Sequence, residues 1–501
     1  MLNMTVYLLR EILPISLIKM KVVPRFLFFF IVRINKVFYI CRMFSGKCLS
    51  GTIRTPRQGV YHLRAAVSFI CTWLFWPACT MAACLPGIPP PPSLIDSVPV
   101  TYDMHHLSFG STLSSDIDSI SFARRYVHRI GVEGRTDYVI PSNSFLRGNN
   151  MDGSHIRASY SAHLKYAFRY HSNTILDRIY GGAYQGIGVA CFTFDRTRYI
   201  GAPFAAYLFQ GARIAQLSPR LSLNYEWNFG ISFGGWKPYD SVTNPANMVI
   251  GSKVNAYINA SVCLEWMLSQ QLDAVLGWNI THFSNGNTQI PNSGLNMTGL
   301  RMGLIYNFNR RNVAVAGTLG QPVIPPFPRH LSYDLVLFGS WRRTGLDVNG
   351  TMVASPDAYT VLGFSFQPMY NFGYKLRAGF SLDGVYDGSA NLSVEDQIVQ
   401  EGQKGPIPIV VDKPSLRRQM ALGLSTRAEY VMPYFTVGLG MGVNVLQGGG
   451  DMNYLYQTVA LKMDVTRNTF LHIGYCVKDF HKPNHLMLGF GIRFGNKRPR
   501  E

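Results

Sequence analysis

Alternation of apolar and polar side chains with a period of two, sustained far beyond the length of an ordinary strand, constrains this chain more than any other feature. Leu221, Leu223, Tyr225, Trp227, Phe229, Ile231 and Phe233 alternate with Ser222, Asn224, Glu226, Asn228, Gly230, Ser232 and Gly234. Leu164, Tyr166, Phe168 and Tyr170 stand against His163, Lys165 and Arg169, and Val254–Trp266 keeps the same rhythm against Asn255, Asn259, Ser261 and Glu265. Phe435, Val437, Leu439, Met441 and Val443 alternate with Thr436, Gly438, Gly440, Gly442 and Asn444. Side chains of a strand point to opposite faces, so each run is a strand with one apolar face. Soluble strands run about five or six residues, whereas a tilted strand crossing a bilayer needs about nine to eleven. No long stretch shows helical periodicity. The pattern predicts an all-β, antiparallel transmembrane β-barrel whose apolar stripes face lipid.

The ends of the chain support that reading. Arg54, Arg57 and Arg64 precede an apolar run from Ala65 to Trp76, then Pro77 and the small residues Ala78 to Ala83, the layout of a secretory signal cleaved near residues 82 to 84. Residues 1–84 thus read as a leader, with 1–42 an over-extended start if translation begins at Met43. The stretch from Val22 to Ile40, broken by Pro24, Arg25, Arg33 and Lys36, is a poor bilayer-spanning helix. At the other end Leu486, Leu488, Phe490, Ile492 and Phe494 share one face, with only Gly495 to Glu501 after them. This resembles the C-terminal signal strand of bacterial outer-membrane proteins, which implies a Gram-negative outer membrane.

Composition excludes competing classes. The net charge is +19, but residues 1–84 hold 11 Lys and Arg against Glu11 alone. The remaining cations are unclustered and accompany no nucleic-acid-binding motif, so nucleic acid is not an expected partner. Of eight cysteines only Cys191, Cys263 and Cys476 lie beyond the leader, too few for a disulfide framework or zinc spacing.

Counting runs gives about sixteen strands, eight in a region 100–310 and eight in 331–495, separated by a Pro-rich connection at 311–330 and preceded by a Pro-rich spacer at 85–99. One barrel of about sixteen strands and two eight-stranded barrels in tandem both fit. With the first strand rising from the periplasm, the long connections 111–157, 237–252, 343–356 and 387–415 fall outside. Short turns near Gln270, Asn371, Met432 and Arg467 fall in the periplasm, the expected asymmetry.

The segment Thr281-His282-Phe283-Ser284-Asn285-Gly286-Asn287-Thr288-Gln289-Ile290-Pro291-Asn292-Ser293-Gly294-Leu295-Asn296 carries the chemistry. His282 and Ser284 continue the parity of Leu272, Ala274, Leu276, Trp278 and Ile280, so both sit at the outer end of a lipid-facing stripe. Asn296 shares the parity of Thr298, Leu300, Met302, Leu304, Tyr306 and Phe308 in the next run, and a hairpin brings it beside His282. Ser284 is placed as nucleophile, His282 as base and Asn296 as the group orienting the imidazole. Asn285, Asn292 and the Gly286 backbone N–H are candidate oxyanion donors. At the extracellular end, the substrate of such a site is an ester of an outer-leaflet lipid.

His-Phe-Ser-Asn followed by Pro-Asn-x-Gly resembles the outer-membrane lipid A 3-O-deacylases of the PagL type, the acyloxyacyl hydrolases, over residues 100–308 and most sharply over 281–296. The resemblance implies an eight-stranded barrel with a lipid-facing Ser-His-acid triad that hydrolyses the ester at the 3 position of lipid A, the membrane-embedded lipopolysaccharide anchor; the site as read needs no organic cofactor and none of its residues is assigned as a metal ligand. His282 and Ser284 match the family's base and nucleophile. Where the family has glutamate this chain has Asn296, which can hold a histidine tautomer but cannot stabilise the imidazolium as a carboxylate does. The strands of 331–494 extend beyond the family's small barrel.

Other features have plainer readings. Gly230-Ile231-Ser232-Phe233-Gly234 fits G-x-S-x-G, but it lies in a strand with Ser232 on the lumen face and no helix following. Gly438, Gly440 and Gly442 read as small lumen residues rather than a nucleotide loop, and His105-His106 lacks partners for a metal. Lys165, Arg169, Glu226 and Glu265 face the lumen, where they either line a pore or pair within a plugged barrel. A non-catalytic barrel (porin, hydrophobic-compound transporter or lipopolysaccharide-binding structural protein) is the alternative function.

Overall fold

The computed structural model describes residues 126–171, 174–310, 323–348, 351–394, 410–480 and 482–497. The leader, the Pro-rich spacer, His105-His106 and most of the 311–330 connection lie outside the described residues.

Eight antiparallel strands close the first barrel: β1 (Tyr126–Val139), β2 (Ala158–Tyr170), β3 (Tyr184–Phe194), β4 (Phe204–Ser218), β5 (Leu221–Phe233), β6 (Val254–Met267), β7 (Leu272–Ser284) and β8 (Leu295–Asn307). Closure is made by β8 pairing back onto β1, with Val132 opposite Leu304 and Tyr138 opposite Thr298. A second closed barrel is built from β9 (His330–Arg342), β12 (Tyr359–Asn371), β13 (Leu376–Asp387), β16 (Met420–Val431), β17 (Phe435–Gln447), β18 (Leu455–Asp464), β19 (Thr469–Lys478) and β20 (Lys482–Phe494). Here β20 pairs onto β9, with Phe490 opposite Leu337. Two short pairs lie in its loops, β10 (Gly345–Val348) with β11 (Thr351–Ala354) and β14 (Ser393–Val394) with β15 (Val411–Asp412). Closure leaves neither barrel with a free edge. Of the two sixteen-strand arrangements, the tandem one is adopted.

Barrel strands of ten to fifteen residues are long enough to cross a bilayer at a tilt. Their alternation sorts side chains as expected: Leu276, Trp278, Ile280, Leu300 and Met302 are exposed on the outer face, while Asp273, Asn279, Thr281 and Arg301 are buried in the lumen. In an aqueous protein such a belt of exposed apolar side chains marks an interface, and around a closed barrel it is the lipid-contacting surface of an outer-membrane protein.

One expectation is corrected, and the asymmetry of short and long connections has one exception. β1 runs through the middle of the stretch 111–157, which was expected to be one loop. Its lumen face carries Arg129, Glu133, Arg135 and Asp137, and Gly131 and Gly134 interrupt it, so the apolar rhythm is diluted. Among turns at the opposite end from the site, residues 171–183 are long rather than short and hold a helical turn, Ile175–Tyr180, capped by Thr174 accepting from the Asp177 N–H at 3.2 Å.

Most lumen charges pair with one another, while among the described residues Arg169 and Asp137 make no ion pair. In the first barrel Glu133 binds Arg301 at 2.6 Å and Arg135 at 2.6 Å, Glu226 binds Arg301 at 3.0 Å and also Lys165, and Arg129 binds Glu265 at 2.5 Å. In the second, Asp334 accepts from Arg377 at 2.7 Å, Lys462 at 2.9 Å and Arg493 at 3.0 Å, and Glu429 binds Arg377 and Lys462. Each charge is buried, and each needs its partners because desolvating an isolated ion is costly. Ser232 accepts from the Trp236 indole at 3.2 Å and donates to the Asn255 carbonyl, a structural role. A Cβ on Gly440 would lie 2.6 Å from the Arg427 guanidinium, so the glycines of β17 make room for lumen side chains.

Both barrels lie in one compact unit, Ser121–Glu501. Their outer faces meet through Leu208, Tyr225, Trp227 and Phe229 on the first and Met432, Phe435, Val437 and Leu461 on the second, with the Trp227 and Phe435 rings edge to face at 5.2 Å. Gln210, on the outer parity of β4, is fully buried and donates to the Pro433 carbonyl at 3.4 Å.

Candidate active site

The site forms where β7 turns into β8. Phe283 is completely buried and packs against Phe192 and Trp236 at 5.2 Å and Tyr257 at 5.4 Å, all inside the barrel. With Phe283 held inward, the alternation of the strand points His282 and Ser284 outward. In the register of the hairpin, His282 stands directly opposite Asn296. Its Nδ1 lies 2.7 Å from Asn296 Oδ1, so the imidazole donates from Nδ1 and Nε2 is left as the basic nitrogen. Ser284 pairs with Ala256 of β6, a small cross-strand neighbour, and is half-buried on the outer face.

Several contacts hold the imidazole from the loop side. Gly294 has φ +74°, and a Cβ there would fall 2.9 Å from His282 Cε1, so only glycine lets the backbone pass this close to the ring. The Gly294 N–H donates to the Val249 carbonyl at 3.2 Å, and Ser293 donates to the Met248 carbonyl from both its N–H and its hydroxyl. Asn143 donates to the Ser293 hydroxyl at 2.8 Å. The long loops 140–157 and 234–253 thus buttress the hairpin, a role with no local signature in the sequence.

The expected oxyanion donors divide. The Asn285 N–H donates to Asn292 Oδ1 at 3.0 Å, the Asn285 side chain donates to the Gln289 carbonyl at 3.0 Å, and Asn292 Nδ2 donates to Asn287 Oδ1 at 3.1 Å. Asn285 is therefore committed to shaping the loop. One amide hydrogen of Asn292 remains, together with the Gly286 N–H, which donates to no backbone carbonyl among the described residues. Gly286 (φ +64°) and Asn287 (φ +67°) are both left-handed, and this turns the chain sharply directly after the serine.

Sequence reasoning missed the part that comes from the second barrel. The Arg343 N–H donates to the Asn287 carbonyl at 2.9 Å, and Asn287 Nδ2 donates to the Pro483 carbonyl at 3.4 Å. Leu486 of β20 lies against Gly286 so closely that a Cβ there would fall 2.7 Å from Leu486 Cγ. The only sequence signal is the parity of Leu486, which puts it on the outer face of its own barrel.

As it stands, the arrangement offers a hydroxyl, an imidazole with an oriented proton, and loop N–H groups within one strand end, on the lipid face of a barrel. These are the residue types an acyl-transfer site needs; the structure joins His282 to Asn296, and among the described residues no hydrogen bond joins Ser284 to His282. Residues 193–305 match the family described as lipid A 3-O-deacylase (PagL), and residues 331–497 match the acyloxyacyl hydrolase C-terminal domain. The comparison with curated proteins found no match. Among solved structures the chain is similar to Neisserial surface protein A at 8% identity and a TM-score of 0.23, covering 36% of this chain and 96% of that one. It is similar to the Acinetobacter baumannii outer membrane protein Omp33 at 9% identity and a TM-score of 0.13, covering 74% and 98%. At such TM-scores these likenesses add nothing to the fold read from the strand pairing.

Proposed function

The chain carries a lipid A 3-O-deacylase (PagL) domain over residues 193–305 and an acyloxyacyl hydrolase C-terminal domain over residues 331–497, and from that premise we propose that it is an outer-membrane serine esterase acting on lipopolysaccharide. It removes the ester-linked acyl chain at the 3 position of lipid A. Ser284 Oγ attacks the acyl carbonyl carbon as His282 Nε2 takes its proton. The oxyanion is met by the Gly286 N–H and the free Asn292 amide hydrogen, and Nε2–H then protonates the departing sugar oxygen. Water repeats the sequence on the acyl-enzyme and releases the fatty acid. Asn296 keeps the Nδ1 proton in place throughout.

The single observation that carries this reading is the 2.7 Å contact between His282 Nδ1 and Asn296 Oδ1 on the lipid face. It supports a working histidine tautomer despite the missing carboxylate. With the long loops outside, the triad lies at the level of the outer leaflet, where lipid A resides. The charge networks filling both lumina favour this reading over a diffusion pore.

The test is mass spectrometry of lipid A from cells carrying the wild-type chain beside cells carrying Ser284→Ala. Loss of one ester-linked chain with the wild type only is expected. Equal hydrolysis by Ser284→Ala, with outer-membrane folding verified, refutes the assignment.

A further inference from the structure

We propose that the second barrel is part of the hydrolytic apparatus, with Leu486 acting as a positioning residue for the oxyanion loop of the first; this rests on the esterase reading above. Three contacts converge on two consecutive loop residues. Leu486 presses on Gly286, leaving no room for a Cβ at 2.7 Å. The Arg343 N–H and the Pro483 carbonyl take the carbonyl and the side-chain amide of Asn287. Arg343 is itself fixed, its guanidinium donating to the carbonyls of Ser355 at 2.6 Å and Pro356 at 2.7 Å. The clamp is therefore anchored in the loop that carries the β10–β11 hairpin.

The placement has a mechanistic consequence. From the first barrel, the loop immediately after Ser284 is held by its own Asn285–Asn292 and Asn287–Asn292 bonds, while Gly294 is tied to Val249 seven residues further on. Gly286 sits in a left-handed conformation between these supports, and turning its N–H away turns the Asn285–Gly286 peptide and gives up the two bonds its carbonyl accepts from Thr288, at 3.0 Å from the hydroxyl and 3.4 Å from the N–H, while leaving the Asn292 and Val249 bonds in place. Leu486 occupies the space into which Gly286 would move. An oxyanion donor works only if it is oriented before the charge develops, so a group that removes the alternative orientation raises the rate of the chemical step and leaves substrate affinity alone. The outer-face packing of Trp227 on Phe435 and of Leu208 and Tyr225 on Met432 and Leu461 holds the two barrels at the spacing this contact needs.

The experiment uses the full chain in outer-membrane vesicles, with Leu486→Ala, the conservative Leu486→Met, and Phe490→Ala on the same outer stripe as a control. Two readouts are taken: kcat and KM for acyl release, and amide hydrogen exchange of the 284–290 segment. Leu486→Ala is expected to lower kcat about tenfold with KM within about twofold, as a small misplacement of reacting groups does, and to speed exchange in the segment. Leu486→Met and Phe490→Ala are expected to behave as wild type. Unchanged kcat and exchange in Leu486→Ala, or an equal fall in Phe490→Ala, overturns the proposal. If the wild type itself releases no acyl chain, the esterase reading fails separately. The exchange readout alone then decides, faster exchange in Leu486→Ala supporting the clamp and unchanged exchange refuting it.

Discussion

Replacing Asn296 by aspartate tests the least usual feature of the site, because the two side chains have the same shape and differ in charge. Asn296 Oδ1 already lies 2.7 Å from His282 Nδ1, so Asp puts a carboxylate oxygen where the amide oxygen now is. In the transition state the imidazole carries a proton on each nitrogen. A neutral hydrogen bond contributes about 1 kcal/mol and one to a charged group about 1.5–3 kcal/mol, so the exchange is worth about 0.5–2 kcal/mol to the imidazolium. At 1.36 kcal/mol per decade this is about a two- to thirty-fold rise in kcat. A buried triad loses about 10⁴-fold when its carboxylate becomes an amide; both partners here are only partly buried, and solvent and headgroup screening hold the effect to the smaller figure. Asn296→Ala removes the bond without replacement and is expected to lower kcat about five- to ten-fold. The assay is the initial rate of acyl release from lipid A in vesicles, with each variant's folding checked by heat-modifiable mobility. Asn296→Asp at or below the wild-type rate, or Asn296→Ala equal to wild type, refutes the role of Asn296 as the orienting group.

Two further outcomes follow from contacts away from the triad. Arg301→Met removes the cation shared by Glu133 and Glu226, leaving them Arg135 and Lys165 respectively, and is expected to destabilise the first barrel by about 1.5–3 kcal/mol, read from the urea midpoint in detergent micelles; an unchanged midpoint contradicts a stabilising role for the network. Gly294→Ala places a methyl 2.9 Å from His282 Cε1 at a left-handed residue, which costs about 1–2 kcal/mol of local strain and displaces the ring. Acyl release should fall by about tenfold or more while the barrel still folds, and an unaffected rate removes Gly294 from the positioning of the imidazole.

The legibility of this protein divides along the range of the interactions involved. Period-two alternation is local, so the sequence by itself determined the membrane strands, the lipid-facing stripe through Trp278 and Ile280, and the shared face of His282, Ser284 and Asn296. The hairpin between β7 and β8 is also local, and the pairing of His282 with Asn296 follows from parity and loop length. The same rule failed at β1, where charged lumen residues and two glycines diluted the apolar signal even though every odd position from Arg129 to Asp137 still points inward.

Only the tertiary structure decided between one barrel and two, because closure rests on hydrogen bonds between β1 and β8 and between β9 and β20, strands far apart in the chain whose registers no local pattern encodes. The partners of the lumen charges were equally hidden, since a strand face announces that Glu133 and Arg301 point inward but not that they meet. The seating of Leu486 on Gly286 is the furthest removed from the sequence: it joins residues 200 apart across two separate barrels, and only the packing of their outer faces brings them together.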